Sequence, residues 1–355
     1  MQAIGPIRHP ARSRLLYLAL RLAERSGHRW KTLAPRPSPE LKPVQPGVSV
    51  VIPERDNPGV LRECLERVAI ARRQLSEPCE VIVVVNGSPP SRYRPLVEAH
   101  PQVRWLFSKK PLWYCGAVRR GIRVARYDWV YLLNSDMILD ASALASVVKW
   151  RSPRVFAVAS QVFFRDPNKR REETGWTLFR ETGGPIEILD EVPEDDRRVR
   201  GTLYAGGGAS LFRRCLLEEL ARDSAAYVPF YWEDVEWGAR AWMLGYESLY
   251  CPSSRAWHGH RMTNRLFFSE PDIDRILARN RLVFHLRNAP LAGPFDAFAG
   301  MLNHLDDTSL EEILEFGRMA RIVCGHFQSC LLPADYSALE GTWERRYGEV
   351  DECVS

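Results

Sequence analysis

The strongest constraint on the fold is an alternation of short, β-branched apolar runs with stretches of helical periodicity, which begins at residue 48. The strand-like runs are residues 48–53, 80–86, 129–136 and 155–164, and helical patterns at 57–74 and 116–125 separate them. These runs are apolar on both faces, as strands covered by helices on both sides must be. The order predicts an α/β fold with a mostly parallel, twisted sheet flanked by helices. Ligands bind to such sheets where the carboxyl ends of the strands meet.

The N-terminal segment differs from the rest of the chain in charge. Residues 1–47 hold nine Lys or Arg and two Asp or Glu side chains, a net charge of +7, whereas the remainder is close to neutral. Residues 12–27 predict a basic amphipathic helix, and five prolines between Pro35 and Pro46 predict an extended linker. Two interpretations stay open: the helix docks on the core, or it lies on an anionic membrane surface. We expect no nucleic-acid partner, since the body carries no excess of positive charge.

The 355 residues are enough for one large domain or two. We divide them into the basic segment 1–47, an α/β domain at 48–265 and a helical C-terminal extension at 266–355. The eight cysteines form no C-x-x-C pair, which predicts reduced thiols in a cytoplasmic protein and argues against a zinc ribbon. No apolar run approaches the roughly 20 residues of a membrane span, and no secretory leader pattern is present.

Polar side chains follow three of the predicted strands at the edge where their carboxyl ends meet. They are Glu54, Asn86, Asn134 and Asp136. Residues of these types commonly form turns, so each alone is weak evidence, but their shared position predicts a nucleotide-binding edge. Asp136 either caps the next turn or binds a divalent ion such as Mg²⁺ or Mn²⁺ that bridges two phosphates.

Two further motifs carry titratable groups. Glu233, Asp234 and Glu236 begin a predicted helix within an aromatic run. Either they are acidic residues that interact favourably with the helix dipole, or one of them is a general base whose basicity is raised by the surrounding rings. His258 and His260 follow a strand-like segment, and they are either structural or contacts to a metal or a diphosphate.

A third motif is basic. Arg119, Arg123 and Arg126 lie at helical spacing and form either a solvated face or, through Arg119, a contact to a phosphate near the start of that helix.

Taken in order, these segments resemble the inverting family 2 glycosyltransferases of GT-A fold, especially the bacterial rhamnosyltransferase-like branch. The matching segments are VSVVIPERDN, EVIVVVNGS, CGAVRRGIRVA, WVYLLNSDMIL, GGGASLFRR, FYWEDVEWGARAWMLGYESLYCP, WHGH and ARNRLVFHLRNAP, within residues 47–290. The resemblance implies that Pro53 and Glu54 line the nucleoside pocket of a nucleotide-diphosphate sugar donor and that Asn86 lies in the second nucleotide loop.

The resemblance also implies the roles of the remaining residues. Asp136 is the metal-binding carboxylate of a D-x-D element, with Asn134 in place of its first acid, and His258 approaches the metal or the diphosphate. Asp234 is the general base, and Glu233 beside it orients the acceptor. Gly206, Gly207 and Gly208 form the floor of the acceptor site next to the donor. Val85 replaces an Asp of the second motif, which leaves the base of the nucleotide open.

The predicted function is inverting transfer of a sugar from a nucleotide-diphosphate donor to an acceptor hydroxyl of a glycan or a lipid-linked acceptor, in cell-surface or other glycan synthesis. We expect a cytoplasmic protein that works at the inner face of the membrane. Two rivals are a non-catalytic sugar-nucleotide or glycan-binding protein of the same fold and a membrane-surface scaffold. An enzyme should retain turnover after deletion of residues 1–46, whereas a scaffold should lose its function.

Overall fold

The structure is a computed structural model that describes residues 14, 18, 45–165, 168, 175–180, 187–192, 197–259 and 263–288. Within them the chain divides into two compact units. The larger unit contains the described residues within 45–178 and 189–267, and the smaller one contains residues 14 and 18 and the described residues within 179–188 and 268–288. Most of the predicted N-terminal helix and the chain beyond residue 288 lie outside the described residues, and the domain boundaries at 47 and 265 stay predictions. None of the described helices has both the length and the apolar content to cross a membrane.

The described elements confirm the predicted alternation. The strands are β1 (Gln45–Glu54), β2 (Cys79–Asn86), β3 (Arg104–Ser108), β4 (Tyr127–Leu133), β5 (Met137–Leu139), β6 (Val155–Phe164), β7 (Trp176–Arg180), β8 (Glu187–Glu191), β9 (Arg200–Gly201), β10 (Ala209–Arg213) and β11 (Glu247–His258). The helices are α1 (Pro58–Arg72), α2 (Arg94–Ala99), α3 (Trp113–Val124), α4 (Ala143–Val148), α5 (Arg214–Leu220), α6 (Glu233–Met243) and α7 (Glu270–Asn288), with 3₁₀ turns at Pro90–Tyr93, Ala221–Tyr227 and Asn264–Leu266.

The described residues form one nine-stranded sheet of order β3-β2-β1-β4-β10-β6-β11-β5, with β9 paired to β11, and a separate β7–β8 pair. Strand β1 is parallel to both β2 and β4, and β6 is parallel to β11. Strand β10 is antiparallel to both of its neighbours, β4 and β6. Strands β1, β2, β3, β4, β6 and β11 therefore share one direction, which confirms the mostly parallel sheet.

Helices cover both faces of this sheet, as the two-sided apolar strands predict. In β1, Val50 and Ile52 join the core beneath α1 and α4, whereas Val51 joins the core beneath α3, α5 and α6. This alternation follows the two-residue period of a strand. Each face contributes a fully buried hydrophobic layer, so the sheet is a rigid support for whatever its carboxyl edge carries.

Three local predictions meet different outcomes. The sequence pattern predicts a helix over residues 234–244 with Gly245 as its capping glycine, and the φ of 82° at Gly245 confirms that end of α6. The run 129–136 is not one strand: a hydrogen bond from the Met137 N–H to the Asn134 carbonyl (3.1 Å) closes a turn between β4 and β5. The pattern also predicts a helix over residues 212–222, but α5 starts at Arg214, because residues 209–213 pair with β4 and β6 as β10.

Two glycines give a matched test of the packing of α3 on β1. A Cβ on Gly121 would overlap Val51 Cγ1, whereas a Cβ on the exposed Gly59 in α1 meets nothing within 4 Å. We expect Gly121→Ala to lower the free energy of unfolding by about 1–3 kcal/mol through overpacking. Gly59→Ala should raise it by roughly 0.5–1 kcal/mol, since alanine favours the helix. Urea unfolding of both variants measures the difference, and equal effects would contradict the close packing.

Candidate active site

The carboxyl ends of the first parallel strands bring the predicted donor-side residues together. Glu54 ends β1 and pairs in register with Val85, next to Asn86 at the end of β2. Asn134 follows the last residue of β4, and Pro53 lies half-buried inside β1. The shared edge predicted from the sequence is therefore present.

Glu54 is a buried carboxylate with its own hydrogen-bond donors. Its side chain is 2% exposed, and Oε1 accepts the Asn57 N–H (2.7 Å) and the Tyr93 hydroxyl (3.0 Å). Burial raises its pKa, and the nearby charge of Asp136 raises it further, while hydrogen bonds from Ser135, Asn57 and Tyr93 oppose the shift. Glu54 and Asp136 therefore lie close enough at this edge to interact electrostatically.

The Asn86 side chain holds the backbone that enters α3. Its Oδ1 accepts the Leu112 N–H (2.5 Å), and its Nδ2 donates to the Trp113 carbonyl (3.1 Å). Trp113 has a left-handed φ of 58°, a conformation that a bulky residue keeps only when its surroundings impose it. The observed role of Asn86 is to stabilise this turn, and its contact with a donor stays a prediction.

Arg55, one of the polar residues that follow the first strand in the sequence, lies among aromatic rings at the same edge. Its guanidinium carbon lies 3.7 Å from the centre of the Phe267 ring and 5.3 Å from that of Trp113. Such distances give a cation–π interaction, and burial lowers the pKa of Arg55. No spacing signal reveals this contact, because Phe267 belongs to a turn more than 200 residues further along the chain.

Asp136 and His258 contact each other at the junction of β5 and β11. His258 Nε2 lies 3.3 Å from Asp136 Oδ1, and the two side chains are 12% and 7% exposed. The contact follows from the antiparallel pairing of β11 with β5, in which His258 stands opposite Met137. The described residues contain no group of three or more His, Cys, Asp or Glu side chains placed to hold a metal. His260 lies outside the described residues.

Gly206, Gly207 and Gly208, the glycine segment, connect this edge to the predicted base. The Asn134 N–H donates to the Gly208 carbonyl (2.8 Å), and the Gly207 N–H donates to Asp234 Oδ2 (3.1 Å). A Cβ on Gly207 would overlap the Tyr114 hydroxyl oxygen, and one on Gly208 would lie 2.9 Å from Met137 Cε. The close approach of the Tyr114 ring to the backbone at Gly207 leaves no room for a larger residue there, whereas at Gly208 the flexible end of Met137 could move.

Asp234 and Glu233 begin α6 with different environments. Asp234 is partly exposed, and its Oδ1 accepts the Val235 N–H (2.9 Å). Glu233 is 3% exposed, and its Oε2 has no hydrogen-bond partner among the described residues. Burial raises the pKa of both carboxyls. The charge of Asp234 raises that of Glu233 further, while the N–H groups of Gly207 and Val235 oppose the shift of Asp234. Asp234 is therefore the carboxylate that a ligand can reach.

The third acid of this motif has another partner. Glu236 is 1% exposed, and its Oε1 lies 2.6 Å from Arg240 Nη2. The two residues are one helical turn apart on α6, so the charges pair within the buried face of the helix. The observed role of Glu236 is therefore an ion pair within the packed face of α6.

The backbone before α6 is strained. Tyr231 and Trp232 have left-handed φ angles of 74° and 77°. The Tyr231 hydroxyl accepts a hydrogen bond from Asn264 Nδ2 (3.2 Å), and the Pro229 carbonyl accepts the Tyr114 N–H (3.2 Å). Left-handed non-glycine residues cluster at functional sites, and here they directly precede the two carboxylates.

The basic motif on α3 is only partly as predicted. Arg119 is half-buried on α3, and its charge opposes the rise that burial causes in the pKa of Cys115. Arg126 lies beyond the end of α3, and its N–H donates to Glu80 Oε1 (2.7 Å). The predicted stripe therefore does not extend to Arg126, and the phosphate contact of Arg119 stays a prediction.

The raised pKa of Glu233 has a consequence for stability. A carboxyl whose pKa is higher in the folded state binds more protons there, so stability falls as pH rises above the usual value of 4.5. We expect Glu233→Gln to stabilise the protein at pH 8, with a gain that shrinks as the pH falls to 4.5. The gain should change by at most about 1.4 kcal/mol per pH unit.

Denaturant unfolding between pH 4.5 and 8 measures this gain. The control is Glu236→Gln, three residues further along the same helix, which should destabilise by about 3–5 kcal/mol because the buried Arg240 loses the charge of Glu236. A Glu233→Gln variant less stable than wild type at pH 8 would contradict the assignment.

Comparisons with known proteins identify the family. The model of Glycosyltransferase like family 2 matches residues 46–271, more than half of the chain. The curated proteins give no significant match.

Solved structures resemble the chain at low identity. GalNAc-T7, crystallised with UDP, GalNAc and Mn²⁺, has a TM-score of 0.52 and 14% identity, covering 84% of this chain and 57% of its own. This chain thus spans little more than half the length of GalNAc-T7. The mannosyltransferase PcManGT from Pyrobaculum calidifontis, in complex with GDP-Man and Mn²⁺, has a TM-score of 0.46 and 19% identity, covering 94% of this chain and 90% of its own. TarS of S. aureus, residues 1–349, has a TM-score of 0.43 and 13% identity, covering 82% and 74%.

The likeness to GalNAc-T7 concerns the fold, and it confirms the GT-A fold that the family resemblance implied. The rhamnosyltransferase-like branch stays a prediction. The family match and the fold agree over the same part of the sequence: the chain belongs to glycosyltransferase-like family 2.

Proposed function

We propose that this family 2 glycosyltransferase is an inverting, divalent-metal-dependent enzyme that moves a sugar from a nucleotide-diphosphate donor to an acceptor hydroxyl. The observation that carries the proposal is the glycine segment. One of its peptide groups binds Asn134 beside the Asp136–His258 pair, and another binds the Asp234 carboxylate. The proposed metal-binding edge and a reachable carboxylate are thus joined by one short stretch of backbone, as direct displacement between two substrates requires.

The donor side of the proposal uses the carboxyl edge of the sheet. Pro53 and Glu54 would line the nucleoside pocket, with Asn86, Asn134 and Arg119 around the rest of the nucleotide. The buried Glu54 carboxylate supports this role, since its fixed oxygens suit hydroxyl or amine donors of a nucleoside. GalNAc-T7, which shares the fold, was crystallised with UDP. Val85, in place of an acid, leaves the identity of the base open.

The Asp136–His258 pair fits a divalent metal. A carboxylate oxygen and an imidazole nitrogen 3.3 Å apart form a donor set that suits Mn²⁺, and the nearby Glu54 adds negative charge. Two protein ligands leave positions for diphosphate oxygens, the usual arrangement for Mg²⁺ and Mn²⁺ with phosphate substrates. Such an ion, when bound, neutralises negative charge on the diphosphate.

Asp234 is proposed as the general base. It would take the proton of the acceptor hydroxyl as the hydroxyl oxygen bonds to the anomeric carbon and the bond from that carbon to the diphosphate breaks on the opposite face. Its raised pKa supports the role, because a base works best when its pKa lies nearer the operating pH. Glu233 would orient the acceptor through Asp234 and the surrounding backbone, since its own side chain is almost fully buried.

The acceptor and the location complete the proposal. We propose a glycan or lipid-linked acceptor in cell-surface glycan synthesis, reached at an anionic membrane surface on the cytoplasmic side through residues 12–27. Within that segment the structure describes Arg14 and Leu18, which are helical and exposed. Leu18, a member of the predicted apolar stripe, is 57% exposed and so presents apolar surface.

A donor panel tests the function. UDP-, GDP-, dTDP- and CDP-linked sugars would be incubated with the protein and Mn²⁺ or Mg²⁺, with nucleoside-diphosphate release measured with and without acceptors. Release that depends on one donor and on metal supports the enzyme. Saturable binding of a sugar nucleotide without release or transfer would support the non-catalytic binding protein instead.

The metal site gives a sharper prediction. Asp136→Ala should remove the metal dependence of donor binding and leave the melting temperature within a few degrees of wild type, because the lost contacts lie at the sheet edge. Calorimetric titration with the donor in Mn²⁺ and in EDTA measures it. Asp140→Asn is the control: this carboxylate accepts the Ser142 N–H before α4 and lies outside the proposed site. Metal-dependent binding that persists in Asp136→Ala would rule out the assignment.

If Asp234 is the base, substitutions of Asp234 and Glu233 should affect different kinetic constants. Asp234→Asn keeps the shape and one hydrogen-bond acceptor but loses the basicity, so turnover should fall by at least about 10²-fold with little change in donor affinity. Glu233→Gln should raise the acceptor KM more than it lowers kcat. Steady-state kinetics separate the two variants. A Glu233→Gln enzyme without activity beside a normal Asp234→Asn enzyme would make Glu233 the base.

A further inference from the structure

Tyr114 contacts both backbone segments that surround Asp234. Its hydroxyl donates to the Gly207 carbonyl (2.8 Å), and its N–H donates to the Pro229 carbonyl (3.2 Å). Gly207 belongs to the glycine segment, and Pro229 precedes the strained turn that leads into α6. One residue at the start of α3 therefore holds the two stretches of backbone that flank the proposed base.

Two successive hydrogen bonds, both made by Gly207, connect the Tyr114 hydroxyl to the Asp234 carboxylate. Tyr114 binds the carbonyl of Gly207, and the N–H of the same glycine donates to Asp234 Oδ2 (3.1 Å). The fit is close, because a Cβ on Gly207 would overlap the Tyr114 hydroxyl oxygen. Gly207 thus has little freedom to turn its N–H away while the Tyr114 hydroxyl is present.

We propose that Tyr114 is a positioning residue for Asp234: its hydroxyl fixes Gly207, and Gly207 in turn fixes the Asp234 carboxylate toward the acceptor hydroxyl. The catalytic meaning of this role rests on the proposed function, in which Asp234 is the base. The positioning itself concerns only contacts within the protein. It can therefore be tested without a substrate.

The groups around Asp234 determine in which direction its pKa should change when the Tyr114 hydroxyl is removed. Glu233 on α6 and Tyr114 and Cys115 on α3 interact electrostatically with Asp234. Burial and the charges of Glu233 and Asp234 raise the pKa of Tyr114, so its hydroxyl stays protonated and donates. The Gly207 N–H favours the ionised form of Asp234 and so lowers its pKa. Loosening Gly207 must therefore raise the pKa of Asp234.

The first test is Tyr114→Phe, which removes the hydroxyl and keeps the ring. In protein labelled with ¹³C at the aspartate Cγ, the signal that Asp234→Asn removes should titrate at a pH higher by roughly half a unit or more. The activity is then measured with the donor identified by nucleoside-diphosphate release. The acidic limb of the profile of kcat against pH should move to higher pH, and kcat should fall by about tenfold while the KM for the donor stays nearly constant.

Tyr131→Phe is the matched control, since it removes a buried hydroxyl with a bond of the same length, 2.8 Å, to Ser160 in the sheet. It should move neither the titration nor the profile. An unchanged Asp234 midpoint in Tyr114→Phe, or an equal shift in Tyr131→Phe, overturns the positioning role. A shifted midpoint together with normal turnover of Asp234→Asn overturns the base assignment instead.

The second test uses the close contact between the two residues. Gly207→Ala places a methyl group against the Tyr114 hydroxyl, and the next Tyr114 atom, Cζ, lies 3.1 Å from that position. We expect Gly207→Ala to disturb the Asp234 titration and to lower kcat, and we expect Gly207→Ala in the Tyr114→Phe background to recover part of that loss. If the reduction of kcat in the double variant equals the product of the reductions in the two single variants, the coupling between Tyr114 and Gly207 is overturned.

Discussion

The site depends on one reversed strand. Strand β10 lies antiparallel between β4 and β6, so its beginning, not its end, meets the edge where the parallel strands end. In register, Ala209 stands opposite Leu133, the last residue of β4. The glycine segment that precedes Ala209 must then run alongside the turn at Asn134, and the hydrogen bond from Asn134 to Gly208 closes that contact. A parallel β10 would carry the same glycines to the opposite edge, far from every donor-side residue.

The sequence predicts the parts of this fold whose pattern is unambiguous. Strands β1, β2 and β6 lie within a few residues of their predicted bounds, because runs that are apolar on both faces fit little else in an α/β chain. Strand β10 was missed for the opposite reason. A five-residue run of mixed character fits a strand or the start of a helix equally well, and only its pairing with β4 and β6 decides. The reversal on which the site depends is thus a tertiary property.

The candidate site likewise contains residues that the sequence indicates and residues whose contacts only the folded structure reveals. Asp136, His258 and Asp234 could be proposed from the sequence because ionisable groups at strand and helix ends are chemically conspicuous, and the structure brings Asp136 and His258 together. Asn86 and Tyr114 act on backbone groups: Asn86 holds the turn at Trp113, and Tyr114 holds Gly207. A side chain that binds a peptide group distant in the sequence produces no recognisable spacing between residue types. Their contacts follow only from the folded path of the chain.

The start of α6 combines several unfavourable features. Tyr231 and Trp232 have left-handed backbone conformations, each of which costs about 1–3 kcal/mol, and Glu233 is buried with an oxygen that has no hydrogen-bond partner among the described residues. The later turns of α6 supply the compensation. Trp237 is fully buried with its N–H bound to the Ser224 hydroxyl (2.9 Å), and Gly238 lets the helix lie against the backbone of Tyr204. A helix anchored so firmly beyond its first turn can hold its first turn in a strained form. This explains why the reachable carboxylate lies at the mouth of α6, where strain and exposure coincide, and not in its packed middle.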